Sequence, residues 1–281
     1  MLLLLGVSWG VAFYFIKIAL PTVSPATMNL GRLAVAALAL FLLMRARREE
    51  LPPWGPVWGY LAAVAILGNA LPYLLIAQAE RDVPSGLAAI LTGATPLITM
   101  ALAHFATADE RMTWKRFAGL VLGFAGLVIL IGPEALAGVG DDLMAQGLLL
   151  LTCVSFACNA IVARRLPELP LVTASFAICL IGTAIMFPLA LATDRGLTGG
   201  PDLPAIFAIV GLGLITTAGA ALLFFALVRD VGATFVVSAN YLTPAVALGL
   251  GVTFLGEQPD PAALAAFGLI CAGIWLANRP G

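Results

Sequence analysis

The chain has 281 residues, 62% of them apolar and only 10% charged, with a net charge of −1 and a mean hydropathy of +1.06. Soluble domains run to about 45–50% apolar and about 25% charged, so this composition excludes an ordinary soluble fold. A net charge of −1 implies no nucleic-acid partner, and the few cations are read by position.

Cutting at proline, glycine and charge clusters predicts helices over 2–20, 25–44, 56–79, 84–106, 114–132, 143–163, 170–192, 204–228, 233–255 and 261–278. Most of these segments meet the roughly 20 apolar residues that a helix needs to cross about 30 Å of hydrocarbon. Leu, Ala, Gly and Val run on without the alternation of a membrane strand. The expected fold class is therefore all-α, a polytopic membrane protein of ten transmembrane helices. The opening run Met1 to Leu5 lacks the basic segment and cleavage site of a signal peptide and is read as the start of the first span. The four cysteines lie in apolar spans and read as packing residues. The single histidine, His104, has no cysteine or histidine neighbour, so neither a metal nor another cofactor is expected.

Arg81-Asp82-Val83 recurs as Arg229-Asp230-Val231, 148 positions on, and at the same offset Thr95-Pro96 recurs as Thr243-Pro244 and Asp109 falls on Glu257. Five helices per half reverse the direction of the second half, so the reading is two inverted five-helix repeats, residues 1–132 and 143–281, around a central cavity. Two small-residue seams, Gly119/Gly123/Gly126 and Gly268/Gly273, fall in the last helix of each half, where they would let backbones approach. With a cytoplasmic N-terminus, ten cations (Arg45, Arg47, Arg48, Arg111, Lys115, Arg116, Arg164, Arg165, Arg229, Arg279) face inside and three (Lys17, Arg81, Arg195) outside. That asymmetry predicts both termini on the cytoplasmic side.

The motifs Ser8-Trp9-Gly10 with Phe13, Pro25 with Arg32, Val83-Pro84-Ser85, Pro96, Asp109-Glu110, Gly119 and Gly126 stand in the first half. Val231-Gly232-Ala233-Thr234, Pro244, Gly256-Glu257, Gly268 and Gly273 stand in the second. In this order they resemble the EamA-type ten-helix members of the drug/metabolite transporter superfamily, and most of all bacterial exporters of amino acids, aromatic ones included. The resemblance implies a basket of helices 1–4 and 6–9 around a central cavity, helices 5 and 10 outside it, and rocking between outward- and inward-open states. Asp109-Glu110 departs from the Gly-Glu pattern that the second copy keeps.

Ionisable residues inside a membrane span are candidates for function, and no Asp or Glu sits in the middle of any predicted span. A proton relay is thus poorly supplied, and facilitated movement is expected; proton-coupled efflux of another solute class is the alternative. Arg32, about eight residues into its helix, is the exception. It reads either as a cation satisfied by helix-end carbonyls or Asn29, or as the partner of a solute carboxylate. Asn69, Asn159, Asn240 and Tyr241 sit near the middle of their spans, as do Thr92, Thr95, Thr216, Thr217 and Ser238. Each is either interhelical glue or cavity lining. Trp9, Phe13, Tyr73, Phe156 and Tyr241, with Tyr14, are candidates for an aromatic wall, whereas Trp54, Trp58, Trp114 and Trp275 read as interfacial anchors. Pro96 and Pro244 are matched hinge candidates.

No paired carboxylates, histidine cluster or activated nucleophile suggests an intramembrane enzyme, and no filter segment suggests a channel. The expectation is an exporter of small amphiphilic metabolites, chiefly amino acids, in a bacterial cytoplasmic membrane, with the lipid bilayer and a small-molecule substrate as its partners, as a monomer or weak dimer.

Overall fold

A backbone inside hydrocarbon finds no water for its N–H and C=O groups, so apolar stretches of this length close their hydrogen bonds within helices. The computed structural model describes residues 1–79, 82–83, 88, 91–106, 112–131, 139, 142–193, 200–242 and 261–277, and among them the regular structure is helical, with no strand. The first half contributes α1 (Leu2–Ala19), α2 (Pro25–Ala46), α3 (Val57–Ala79, with a π-helical segment at Ile66–Ala70), α4 (Thr95–Ala106) and α5 (Trp114–Ile131). The second contributes α6 (Leu143–Arg164), α7 (Leu171–Thr193), α8 (Leu203–Val231, π-helical at Leu212–Gly219), α9 (Ala233–Val237, continued by a 3-10 turn at Ser238–Tyr241) and α10 (Pro261–Ala277). Five helices, α2, α3, α6, α7 and α8, are long and apolar enough to cross a membrane. Pro244, Pro84-Ser85, Asp109-Glu110 and Gly256-Glu257 lie outside the described residues, as does the side chain of Phe13.

Local chemistry sets the helix ends. Ser24 caps α2, its Oγ accepting from the Thr27 N–H at 3.1 Å, with Pro25 in the first turn. Asp142 and Asp202 cap α6 and α8 through carboxylate oxygens 2.9 Å from the Ala145 and Ala205 amides. Glu49, beyond the end of α2, accepts from both the N–H and the hydroxyl of Thr173, so it ties that end to the first turn of α7. The joint between α8 and α9 turns on Gly232, whose φ of 90° is open to glycine and strained for residues with a Cβ.

The predicted helix over 84–106 is interrupted at Gly93-Ala94, and α4 begins only at Thr95. Pro96 has no N–H to offer the Thr92 carbonyl; the Thr95 hydroxyl donates to that oxygen instead, at 2.6 Å. The predicted helix over 233–255 likewise loosens early, into the 3-10 turn at Ser238–Tyr241.

Helices pair across the halves. α5 packs on α10, α2 on α7 and α4 on α9, while α1 lies on α8 and α3 on α6. The α5–α10 contact is glycine-built: a Cβ on Gly273 would stand 2.5 Å from the Gly123 nitrogen and 2.6 Å from the Gly119 oxygen, and one on Gly126 would stand 2.9 Å from the Ala266 oxygen. Removing side chains there lets the two backbones touch, which matters where lipid supplies no hydrophobic drive between helices. Gly268 does not belong to this seam, because a Cβ on it would meet nothing within 4 Å among the described residues.

Candidate functional site

A cavity of about 150 Å³ opens between the halves, lined from α1, α2, α3, α6, α8 and α9 and from the first residue of α4 and the turn before it. None of its described lining comes from α5, α7 or α10; α7, expected in the basket, instead buries Phe176 and Cys179 against α2. The cavity brings together Trp9, Arg32, Asn69, Tyr73, Thr92, Phe156, Asn159, Thr217 and Asn240. Its volume is about that of a hydrophobic hole able to admit a benzene ring.

Arg32 is the electrostatic centre of this space. It is 1% exposed, and its Nε and Nη2 donate to the hydroxyls of Thr217 at 3.0 Å and Thr216 at 3.3 Å. Each hydroxyl in turn donates to the Leu212 carbonyl, at 2.9 and 2.8 Å. Their protons are thus committed to that carbonyl, and their lone pairs face the guanidinium. The Arg32 carbon lies 3.8 Å from the centre of the Tyr73 ring, within cation–π range. The partners foreseen for a structural role, helix-end carbonyls or Asn29, are not the ones it uses. No carboxylate is among the described residues lining the cavity. A charged side chain in the bilayer interior costs at least about 2.5 kcal/mol, and here neutral oxygens and one ring offset that cost without cancelling the charge.

Both π segments converge on the site. In α3 the wider turn precedes Pro72, which cannot donate to the Gly68 carbonyl. Gly68 lies against the Asn159 amide, so close that a Cβ would sit 2.6 Å from its Oδ1. Ser155 donates to the Leu67 carbonyl at 2.8 Å, and Asn29 Nδ2 to that of Ala70 at 3.4 Å. Two buried amide oxygens, Asn29 Oδ1 and Asn159 Oδ1, have no hydrogen-bond partner among the described residues. Such orphans are costly in a dry interior.

Apolar walls flank this polar core. Tyr73 meets Phe156 edge-on at 6.0 Å, and Trp9 approaches Phe224 at 6.4 Å. Two expected wall members stand elsewhere. Tyr14 is exposed and lies against Phe15. Tyr241 is fully buried away from the cavity, its hydroxyl donating to the Leu120 carbonyl at 3.2 Å and its ring filling the space over Gly123. Asn240 and Tyr241 are neighbours on a 3-10 turn, where successive side chains point about 120° apart, so one can line the cavity while the other packs on α5. Pro96 sits in the first turn of α4, next to the lining residue Thr95. His104 is remote from the cavity, its Nδ1 accepting from the Met112 N–H at 3.1 Å between α4 and α5.

Sequence reading passed over Asn29, Gly68 and Phe224 as cavity residues. Asn29 had a signal, since it stands three residues before Arg32 on the same helical face. Gly68 had none, because a glycine in an apolar run does not announce a π turn.

A helical bundle with several spans of membrane-crossing length and a polar pocket walled by aromatics is the architecture of a multi-pass membrane transporter of small molecules. The chain belongs to the EamA-like transporter family, which matches residues 1–132 and 143–279. A probable terminal-alkyne amino-acid exporter of Streptantibioticus cattleyicolor is 29% identical over 99% of this chain and 92% of its own length. YedA of Escherichia coli K12, described as an uncharacterized inner membrane transporter, is 26% identical over 97% of this chain and 87% of its own. An S-adenosylmethionine/S-adenosylhomocysteine transporter of Chlamydia trachomatis serovar D is 26% identical, covering 94% of this chain and 84% of its own. The fold is similar to that of a protein solved by crystallography, with a TM-score of 0.78 at 20% identity over 98% of this chain and 94% of that one.

Proposed function

We propose that the protein is a secondary transporter that exports small amphiphilic metabolites, chiefly amino acids and aromatic ones among them, by facilitated alternating access. The observation that carries this reading is the cavity itself, a buried cation between amides and aromatic rings, with no described carboxylate on its lining. A carboxylate or histidine at the solute site is the usual means of coupling protons to its movement, and neither is among the described lining residues. The named solutes of two relatives support the same class, since an amino acid and S-adenosylmethionine both carry an α-ammonium carboxylate.

The fuller architecture belongs to this proposal: ten spans, residues 1–132 and 143–281 as inverted repeats, both termini cytoplasmic, in a bacterial inner membrane, as a monomer or weak dimer. The helix pairing supports it. Exchanging each helix with the one five places on maps α1–α8 onto α6–α3, and leaves α2–α7, α4–α9 and α5–α10 as they are. That is the pattern a pseudo-two-fold axis requires. Rocking of one half against the other would open the cavity alternately to each side, with Pro96 and Pro244 as hinges.

The test is counterflow in proteoliposomes with a panel of labelled solutes, with and without a pH gradient. Saturable exchange of aromatic amino acids at equal pH on both sides is the expected result. Strict dependence on the gradient would replace the facilitated mechanism with proton coupling.

A further inference from the structure

The solute reading above leaves open what recognises the charged end of the molecule; we propose that Arg32 is the receptor for the carboxylate of a zwitterion and that the amide oxygen of Asn29, seconded by that of Asn159, takes its ammonium group. The inference rests on the amino-acid reading and adds charge specificity to it. Three observations carry it.

First, the guanidinium is under-used. Of its five N–H groups, Nε and one on Nη2 meet threonine hydroxyls. The remaining donors keep the fork that matches a carboxylate with two parallel bonds. Second, the charge is uncompensated: no carboxylate is among the described residues lining the cavity, and the flanking hydroxyls and ring are neutral. An anion is the natural complement.

Third, the orphaned groups have the sign an ammonium needs. Asn29 Oδ1 and Asn159 Oδ1 are buried acceptors without a donor among the described residues, and both residues line the cavity. The orientation of the Asn29 amide is fixed by its own Nδ2, which donates to the Ala70 carbonyl; a flip would set two oxygens against each other. Asn29 and Arg32 stand three residues apart on α2, so their Cβ atoms are about 5–6 Å apart. An α-ammonium and its carboxylate share one carbon, and a solute of that shape reaches both side chains at once. A simple carboxylate would leave the amides unpaired, and a simple amine would sit beside an unopposed cation.

The site is tested by competition against phenylalanine counterflow in proteoliposomes, using unlabelled phenylalanine, phenylalaninamide, phenethylamine and 3-phenylpropionate. With the native protein, phenylalanine should compete at least about ten-fold better than each analogue, because each analogue leaves a charged or buried group unpaired. In Arg32→Gln, its advantage over phenylalaninamide should collapse to within about two-fold, while Arg32→Lys should keep part of it. Asn29→Leu should erase the advantage over 3-phenylpropionate and spare that over phenylalaninamide. Should Arg32→Gln fail to fold, the native panel still decides. Equal competition by phenylalaninamide overturns the receptor while leaving amino-acid transport standing. Absence of counterflow for phenylalanine and every other amino acid removes the solute reading and the receptor with it.

Discussion

α3 stands just before Arg81-Asp82-Val83 and α8 ends on Arg229-Asp230-Val231, and each opens into a π segment, at Ile66–Ala70 and at Leu212–Gly219. They arrive there by different chemistry. In α3 a proline just beyond the segment withholds a donor from the turn before it. In α8 the one proline, Pro204, stands in the first turn, far from the segment; Thr216 and Thr217 fold their hydroxyls back onto the Leu212 carbonyl. What the two helices share is a widened turn at the cavity that receives polar groups from the opposite half. α3 takes Ser155 and abuts Asn159, and α8 takes Arg32. Backbone irregularity is thus placed alike in the two halves, while the side chains that use it differ, making an amide site in one and a cation site in the other.

The sharpest way to break this comparison is to fill one glycine in each segment, Gly68 in α3 and Gly213 in α8. A Cβ on Gly213 would press on the backbone of α2, 2.9 Å from the Arg32 oxygen, and on Val35 at 2.6 Å. The atoms nearest a Cβ on Gly68 belong instead to a side-chain end, the amide of Asn159, at 2.6–2.8 Å. Gly213→Ala should therefore show the larger loss of stability, of the order of 1–3 kcal/mol for overpacking, seen as the greater fall in melting temperature in detergent. Gly68→Ala should melt nearer the native protein yet lose counterflow, because it displaces a cavity group. Equal melting of the two variants would argue that the segments do not differ in what they press against.

A smaller effect should come from Thr216→Val with Thr217→Val, which keeps volume and removes the oxygens facing the guanidinium. Hydrogen bonds to a charged group contribute about 1.5–3 kcal/mol, and the paired variant should lose up to that much stability. If Arg32 binds solute, the freed cation should hold it more tightly, lowering the half-saturating concentration while slowing release. A half-saturating concentration unchanged from native would separate Arg32 from the transport cycle.

The helices were legible because hydrocarbon enforces long apolar runs, and Arg32 stood out because a lone charge in such a run is conspicuous. Its partners were not legible. Thr216 and Thr217 lie more than 180 positions away and meet it only through helix packing. The π turns left no trace either, because spans that are apolar on all sides carry no periodic pattern from which a change of pitch can be read. Tyr241 was misplaced for a related reason: next to Asn240 in sequence, it shares a depth with the cavity but not a direction. The glycines of α5 did point to close packing, and Gly273 met them, whereas Gly268 looked the same in sequence and meets none of the described residues.

The smallest effect expected concerns the hinge pair, and it extends the comparison from α3 and α8 to α4 and α9. Pro96 opens α4 after an irregular turn at Gly93-Ala94, and α9 becomes irregular at Ser238–Tyr241, within a few residues of the matched offset. In α4 the Thr92 carbonyl is already satisfied by the Thr95 hydroxyl. Pro96→Ala would add a competing N–H to the same oxygen and tend to join the turn to the helix. Stability should change little, since one bond replaces another, but the bend would become harder to vary. Counterflow should slow by a few-fold in Pro96→Ala, and further in Pro96→Ala with Pro244→Ala, with the half-saturating concentration held. Native rates in the double variant would show that α4 and α9 keep their bends for packing alone, and that the moving parts of the cycle lie in the π turns.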